Sequence, residues 1–345
     1  MEKYLIFKKT VYNFVVLLKP LKFINMKRFV FTLIIALFLC NNGFAQTNVI
    51  EAELQEVLNE KGNEMISVNI VLKAQIETEQ LNLIASKHSD KKSLRESVIN
   101  ELKTYSAKKQ QDIMSILQAE KGANRVSDIN AHWITNSINC TASADVIYRL
   151  AEHPDIKVIL YNKMEKIIGD DKGKKVTPSR GMTENITQVN ANDVWAEGYT
   201  GEGVIVAVID TGVNYNHVDL ADHLWDGGSE FPNHGWDFIN YDNDPMDDDS
   251  HGTHCAGTIC GDGTSGLQTG MAPNATLMCL KALGPDGGTF EAMQSSVEFA
   301  IEHGADVLSC SFGWTYPNAY ISELNREVFT NVLYAGVVAA VAAGN

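Results

Sequence analysis

The chain has 345 residues, 45% of them apolar, with 28 Lys+Arg against 43 Asp+Glu for a net charge of −15. That composition excludes a disordered chain, a collagen and a small disulfide-stapled scaffold. The length asks for two domains or one large domain with an appendage, and the acidity argues against nucleic acid as a partner, because phosphate contacts need a basic face.

The charge is uneven along the chain. Residues 1–45 carry +6, residues 46–180 are neutral, and residues 181–345 carry −21, with Lys281 and Arg326 as their only bases. Three parts with different roles are expected. In the first, Met26-Lys27-Arg28 is a short basic start. Phe29–Cys40 follows, apolar apart from Thr32, and then the small residues Gly43 and Ala45. This reads as a secretory signal with Met26 as the true start, too short for an ordinary membrane span. The expectation is a secreted or cell-envelope protein with no stable membrane span after signal removal.

Residues 46–169 read as a small α+β domain. Ile66–Ala74 reads as a strand. Leu81 to Gly122 is helical, with Leu94, Val98, Leu102, Ile113 and Leu117 at helical spacing. Trp133–Cys140 is predicted as a strand, Ala144–Glu152 as a helix ending before Pro154, and Ile156–Tyr161 as a strand. His88, His132 and His153 are isolated in sequence and read as ordinary surface or core histidines. Residues 170–180 are charged, hold Gly173 and Pro178, and read as a linker.

From residue 181 the pattern changes to long apolar strands. Val204–Ile209 is a continuous apolar run, fit for a parallel strand buried on both faces, and it ends at Asp210-Thr211-Gly212. Functional groups in open α/β sheets sit at the carboxyl ends of strands, and a carboxylate there needs a partner. Ser250 is predicted to cap a helix starting at His251, with small residues at 252, 256 and 257 allowing close approach. A His at that helix start, facing Asp210, is held in one tautomer and becomes a competent general base. Then come a strand at Thr276–Leu283 and a helix at Phe290–His303, with Phe290, Met293, Val297 and Ile301 on one face. A strand at Ala305–Phe312, a helix at Ala319–Ala335 and a strand at Val337–Ala343 complete the series. The fold class is α/β, a doubly wound parallel sheet preceded by a small α+β domain. Cys255, Cys260, Cys279 and Cys310 lie in apolar or Gly-rich stretches and read as small buried hydrophobes.

These motifs carry a family resemblance. Residues 181–345 resemble the subtilisin-like serine peptidases (subtilases). Val206 to Val213 is similar to their aspartate motif. His251 to Gly257 is similar to their histidine motif, in the Cys-containing form of the proteinase K branch. Ala342-Ala343-Gly344-Asn345 is similar to their oxyanion-asparagine motif. Asn190-Ala191 to Trp195, followed by Gly198 to Gly201, resembles the segment that leads into the domain.

The resemblance implies a secreted serine endopeptidase. Asp210 would orient His251, His251 would be the general base, and Asn345 would stabilise the oxyanion. Ser311, Phe312 and Gly313 on one side and Gly288 on the other would hold a protein or peptide substrate as an added strand. Phe312 hints at an apolar cleft wall. Residues 46–169 would be a propeptide, its last strand at about 156–168 lying in the cleft. No cofactor is required for the chemistry, and structural calcium is possible. Asp219 resembles a family calcium ligand, although Thr264 stands where many members place an Asn. The acidic run 242–249 reads first as a solvated loop and second as a calcium site.

The family's serine lies in a Gly-Thr-Ser motif beyond the asparagine. The only such tripeptide here is Gly263-Thr264-Ser265, twelve residues after His251. The expectation is a fragment lacking the nucleophile and inactive as written. The alternative is a decayed, non-catalytic remnant whose prodomain binds or inhibits a related peptidase. A metal hydrolase is disfavoured because His251 and His254 lack the His-Glu-x-x-His pattern. In this acidic part, carboxylates near His251 are expected to raise its pKa, pushing activity alkaline, and to attract basic peptides.

Overall fold

In the computed structural model the described residues are 49–62, 64–165, 181–313 and 319–343. The expected signal at 1–45, the linker at 170–180 and Asn345 lie outside them. Among the described residues no helix is long and apolar enough to cross a membrane.

The first domain runs α1 (Ala52–Lys61), β1 (Ile66–Leu72), α2 (Thr78–Ala85), α3 (Lys91–Gly122), β2 (Val126–His132), β3 (Ser137–Ala142), α4 (Ala144–Ala151) and β4 (Ile156–Tyr161). Its four strands form an antiparallel sheet in the order β2-β3-β1-β4. The core joins Val68 and Ile70 of β1 to Leu54, Ile113, Leu117 and Ile147 from the helices.

Two elements differ from the sequence expectation. The helical stretch breaks before Asp90, whose carboxylate accepts from the Ser93 N–H at 2.9 Å and starts α3 afresh. The expected strand at Trp133–Cys140 is the turn and second arm of a hairpin. The chain reverses at 133–136, with Asn136 in the left-handed region at φ +43°, and the first arm starts at Val126.

The second domain runs β5 (Gly181–Met182), α5 (Glu184–Gln188), α6 (Ala191–Ala196), β6 (Ile205–Asp210), β7 (Gly235–Asp237), α7 (His251–Cys260), β8 (Leu267–Gln268), β9 (Thr276–Lys281), α8 (Phe290–Glu302), β10 (Val307–Cys310), α9 (Ala319–Tyr334) and β11 (Val338–Val341). Its main sheet has the order β11-β10-β6-β9-β7, and all pairs are parallel. Alternation along β6 and β9 assigns the faces. Val206, Val208, Leu277 and Cys279 pack with Ala256 and Cys260 of α7. Ala207, Ile209, Met278 and Leu280 pack with Phe290, Val297 and Ile301 of α8 and Val328 of α9. The sheet is therefore covered on both faces, as a doubly wound α/β fold requires. Cys260, Cys279 and Cys310 are buried free thiols, as expected, and Cys255 is half-buried.

Candidate active site

Asp210 ends the central strand β6 and is fully buried. A buried carboxylate is costly without a donor. Its Oδ1 accepts from the Thr211 N–H at 2.7 Å and lies 2.7 Å from Nδ1 of His251. His251 is the first residue of α7, and its side chain is 27% exposed. The close approach depends on Gly252. A Cβ there would stand 2.0 Å from the Gly212 carbonyl and 3.1 Å from Asp210 Cβ.

The start of α7 is held differently from the sequence expectation. Ser250 makes no side-chain cap, and its backbone sits at φ 88°. Asp247 does the capping. Its Oδ1 accepts from the N–H groups of Asp249 (3.0 Å) and Ser250 (2.9 Å), and its Oδ2 from Thr253 N–H (2.8 Å). The Thr211 hydroxyl donates to Asp247 Oδ1 at 2.8 Å and accepts from Gly252 N–H at 2.9 Å. One carboxylate thus ties the residue after Asp210 to the helix that carries His251.

The acidic run 242–249 is a partly exposed loop, as expected, but several of its carboxylates are bonded within the protein. Asp242 exchanges two backbone hydrogen bonds with Asp237, and Asp244 accepts from the Tyr215 hydroxyl at 2.8 Å. Asp248 accepts at 2.6 Å from Lys281 Nζ, which also donates to Thr211 O at 2.8 Å. Lys281 is 2% exposed and pairs in register with Asp210. Sequence reasoning passed it over, although it is one of two bases in the whole acidic part. Asp219 has both carboxylate oxygens engaged by Ser265, whose N–H donates to Oδ1 at 2.5 Å and whose hydroxyl donates to Oδ2 at 2.7 Å. The Thr264 hydroxyl donates to Asp262. As arranged, these residues form an internally bonded turn.

The His251 ring is pushed up to about 10. The hydrogen bond to Asp210 is the main cause, followed by the Cys255 thiol 3.9 Å from Nδ1, and burial acts in the opposite direction. The expected direction and cause hold, since a carboxylate beside the ring, Asp210, contributes most, with the Cys255 thiol added. Asp210, His251 and Cys255 bring three ligand-type atoms within 4.8 Å of one another, while His254 stands outside that group.

Past the end of β4 the chain of the first domain reaches the second. Glu165 and Gly288 exchange both backbone hydrogen bonds at 2.9 Å, as neighbouring antiparallel strands do. Gly288 has no room for a side chain, since a Cβ would meet the Ala282 carbonyl at 2.4 Å. Ser311, Phe312 and Gly313 continue from β10, whose last residue Cys310 pairs with Ile209, so they leave the sheet beside Asp210. Among the described residues no bridge joins them to the 162–165 segment. Phe312 is buried and belongs to the apolar cluster that the second domain shares with the first.

The domains also meet along α8. Glu298 Oε1 accepts from the N–H groups of Trp133 (2.6 Å) and Ile134 (2.9 Å), and its Oε2 lies 3.2 Å from Nδ1 of His132. His132 is fully buried, in line with the core-histidine reading, and its partner Glu298 lies across the interface.

Residues 201–345 match the subtilase family. The chain is 32% identical to bacillopeptidase F of Bacillus subtilis over 211 residues, which cover 56% of this chain and 15% of that protein. It is 36% identical to the minor extracellular protease Vpr of B. subtilis over 217 residues, 59% of this chain and 25% of that protein. It is 34% identical to the major intracellular serine protease of B. subtilis over 166 residues, 48% of this chain and 50% of that protein. The chain spans at most about half the length of these three relatives.

Proposed function

We propose, from residues 201–345 as a subtilisin-like serine peptidase sequence, that this protein is a secreted, proenzyme-type serine endopeptidase. The observation that carries the reading is the 2.7 Å contact of Asp210 with His251 at the carboxyl end of the central strand. Asp210 fixes the ring with Nδ1 toward itself, which leaves Nε2 to take a proton from a serine hydroxyl and return it to the leaving amine. Asn345 is assigned the oxyanion. Ser311, Gly313 and Gly288 are assigned the backbone of an extended protein or peptide substrate, and nucleic acid has no role. The chemistry needs no cofactor. Added calcium is expected to leave the melting temperature unchanged, because Asp219 is already engaged by Ser265.

The first domain is assigned as the propeptide. The Glu165–Gly288 pairing supports this, since a chain segment there occupies an edge that a substrate strand would use. Export through residues 1–45 is part of the proposal. Its support is the signal-like pattern and the extracellular relative Vpr.

Among the described residues no hydroxyl is hydrogen-bonded to His251. The 345-residue chain is therefore expected to resist stoichiometric labelling by a fluorophosphonate. A form of the protein that includes a family-type Gly-Thr-Ser nucleophile is expected to be labelled and to cleave peptides. His251→Ala in that protein should lower kcat by about 10⁴-fold or more. Full labelling of the 345-residue chain, or unchanged cleavage by His251→Ala, would overturn the assignment. A protein that cleaves nothing yet inhibits a related subtilase would favour the second reading, a non-catalytic inhibitor.

A further inference from the structure

On the sheet face that carries α7, at the opposite end of that helix from His251, lies a second group of ligand-type atoms. Asp222 and His223 belong to the segment between Asp219 and β7, and Asp262 follows the C-terminus of α7. We propose that Asp222, His223 and Asp262 form a binding site for a divalent transition-metal ion of the zinc type.

The spacing is that of ligands around one ion. Nε2 of His223 is 3.3 Å from Asp222 Oδ1 and 3.7 Å from Asp262 Oδ2. The three ligand atoms all lie within 4.8 Å of one another. Metal–ligand bonds of about 2.1 Å in a tetrahedral site put ligand atoms about 3.4 Å apart, between the two observed distances. A simple ion pair is a poorer account. Nε2 is buried and has no hydrogen-bond partner, so the ring nitrogen faces two carboxylates without bonding to either. An imidazole nitrogen with two carboxylates suits zinc and its neighbours, whereas calcium and magnesium take oxygen ligands throughout.

The surroundings hold the ligands in position. Asp262 receives the Thr264 N–H at 2.9 Å and the Thr264 hydroxyl at 2.7 Å, the kind of outer partner that orients a ligating carboxylate. The His223 carbonyl accepts from Leu277 N–H at 2.7 Å, which anchors this ligand to β9. Asp222 is 71% exposed in its side chain and gives the ion a way in from solvent. An ion here would bind the end of α7 to the sheet that carries Asp210. Its role is a structural clamp, independent of whether the chain is a peptidase.

The test uses Zn²⁺ by calorimetry and Co²⁺ by visible absorption on the purified 345-residue chain at neutral pH. One equivalent of Zn²⁺ is expected, with tetrahedral Co²⁺ bands and a higher melting temperature. His223→Gln and Asp222→Asn should abolish binding, and the exposure of Asp222 makes its variant safe for folding. Thr264→Val should weaken it about 10-fold. Cys255→Ser should bind as the parent does, which separates this site from the Asp210–His251–Cys255 group. The proposal fails if the parent takes up no Zn²⁺ at millimolar concentration, if either ligand variant binds unchanged, or if Cys255→Ser is the variant that loses the ion.

Discussion

His251 is held by one carboxylate and one thiol, and both favour its charged ring. This shift favours the imidazolium at neutral pH, so the proton-accepting role of His251 is expected to strengthen toward alkaline pH. An NMR titration should place its midpoint near 10. Asp210→Asn removes the principal cause and should bring the midpoint down by more than one unit, toward the ordinary value of about 6.5. The sign for stability follows. A folded value above the unfolded one contributes stability that is complete below about 6.5 and is lost as pH rises through about 10. Asp210→Asn should therefore flatten the stability profile over that window, as urea midpoints at a series of pH values will show. A midpoint that Asp210→Asn leaves unchanged would mean that the Asp210 carboxylate is not the cause of the shift.

At the scale of elements, the start of α7 depends on Asp247 and Gly252. Asp247→Ala removes the acceptor for three backbone N–H groups and two hydroxyls, those of Thr211 and Thr253. The loss should be about 2–4 kcal/mol by urea unfolding, a lost cap plus buried donors left unmade. Asp247→Asn should recover part of it. Gly252→Ala drives a methyl into the Gly212 carbonyl. The helix must move away from Asp210, and the His251 midpoint should fall even where the protein remains folded. The sequence made β6, α7 and the Asp210–His251 pair legible because each rests on local pattern: an apolar run ending in Asp, and small residues behind a His. The cap was not legible. Three consecutive Asp precede Ser250, and only the tertiary contact with Thr211 selects Asp247. The hairpin turn was hidden for a related reason. Trp133 and Ile134 look like strand residues, but they are buried by α8 and by Asn331, which donates to the Ile134 carbonyl at 2.6 Å. Lys281 was missed because nothing local marks a lysine at a strand end as buried.

Across the whole molecule, a domain of zero net charge packs on one of −21, so simple charge attraction cannot hold them together. The contact is built on acceptors. Glu298 takes the two amides of the hairpin turn, and Glu302 takes the Trp133 indole N–H at 2.8 Å. Lys157–Glu323 and Lys91–Asp306 lie at partly exposed positions, with one side chain of each pair about half exposed. Such pairs are worth about 0–1 kcal/mol each. Glu298 is 12% exposed, and His132 opposite it is fully buried. Glu298→Ala would leave two buried amides and a buried imidazole without their acceptor, at a cost of about 3–5 kcal/mol. Lys157→Ala should cost under about 1 kcal/mol. Urea unfolding separates the two, and amide exchange at Trp133 and Ile134 should quicken only in Glu298→Ala. Burial works against a charged His132, yet Glu298 prevails and raises its pKa. The docked state therefore gains stability that is complete below about 6.5, the unfolded value, and is lost as pH rises through the folded one. If Glu298 is the cause, Glu298→Gln keeps an acceptor for the amides while removing this pH dependence. Exchange at the hairpin amides would then become independent of pH after correction for the intrinsic rate. The same pH dependence in parent and variant would mean that another group governs the release of the first domain.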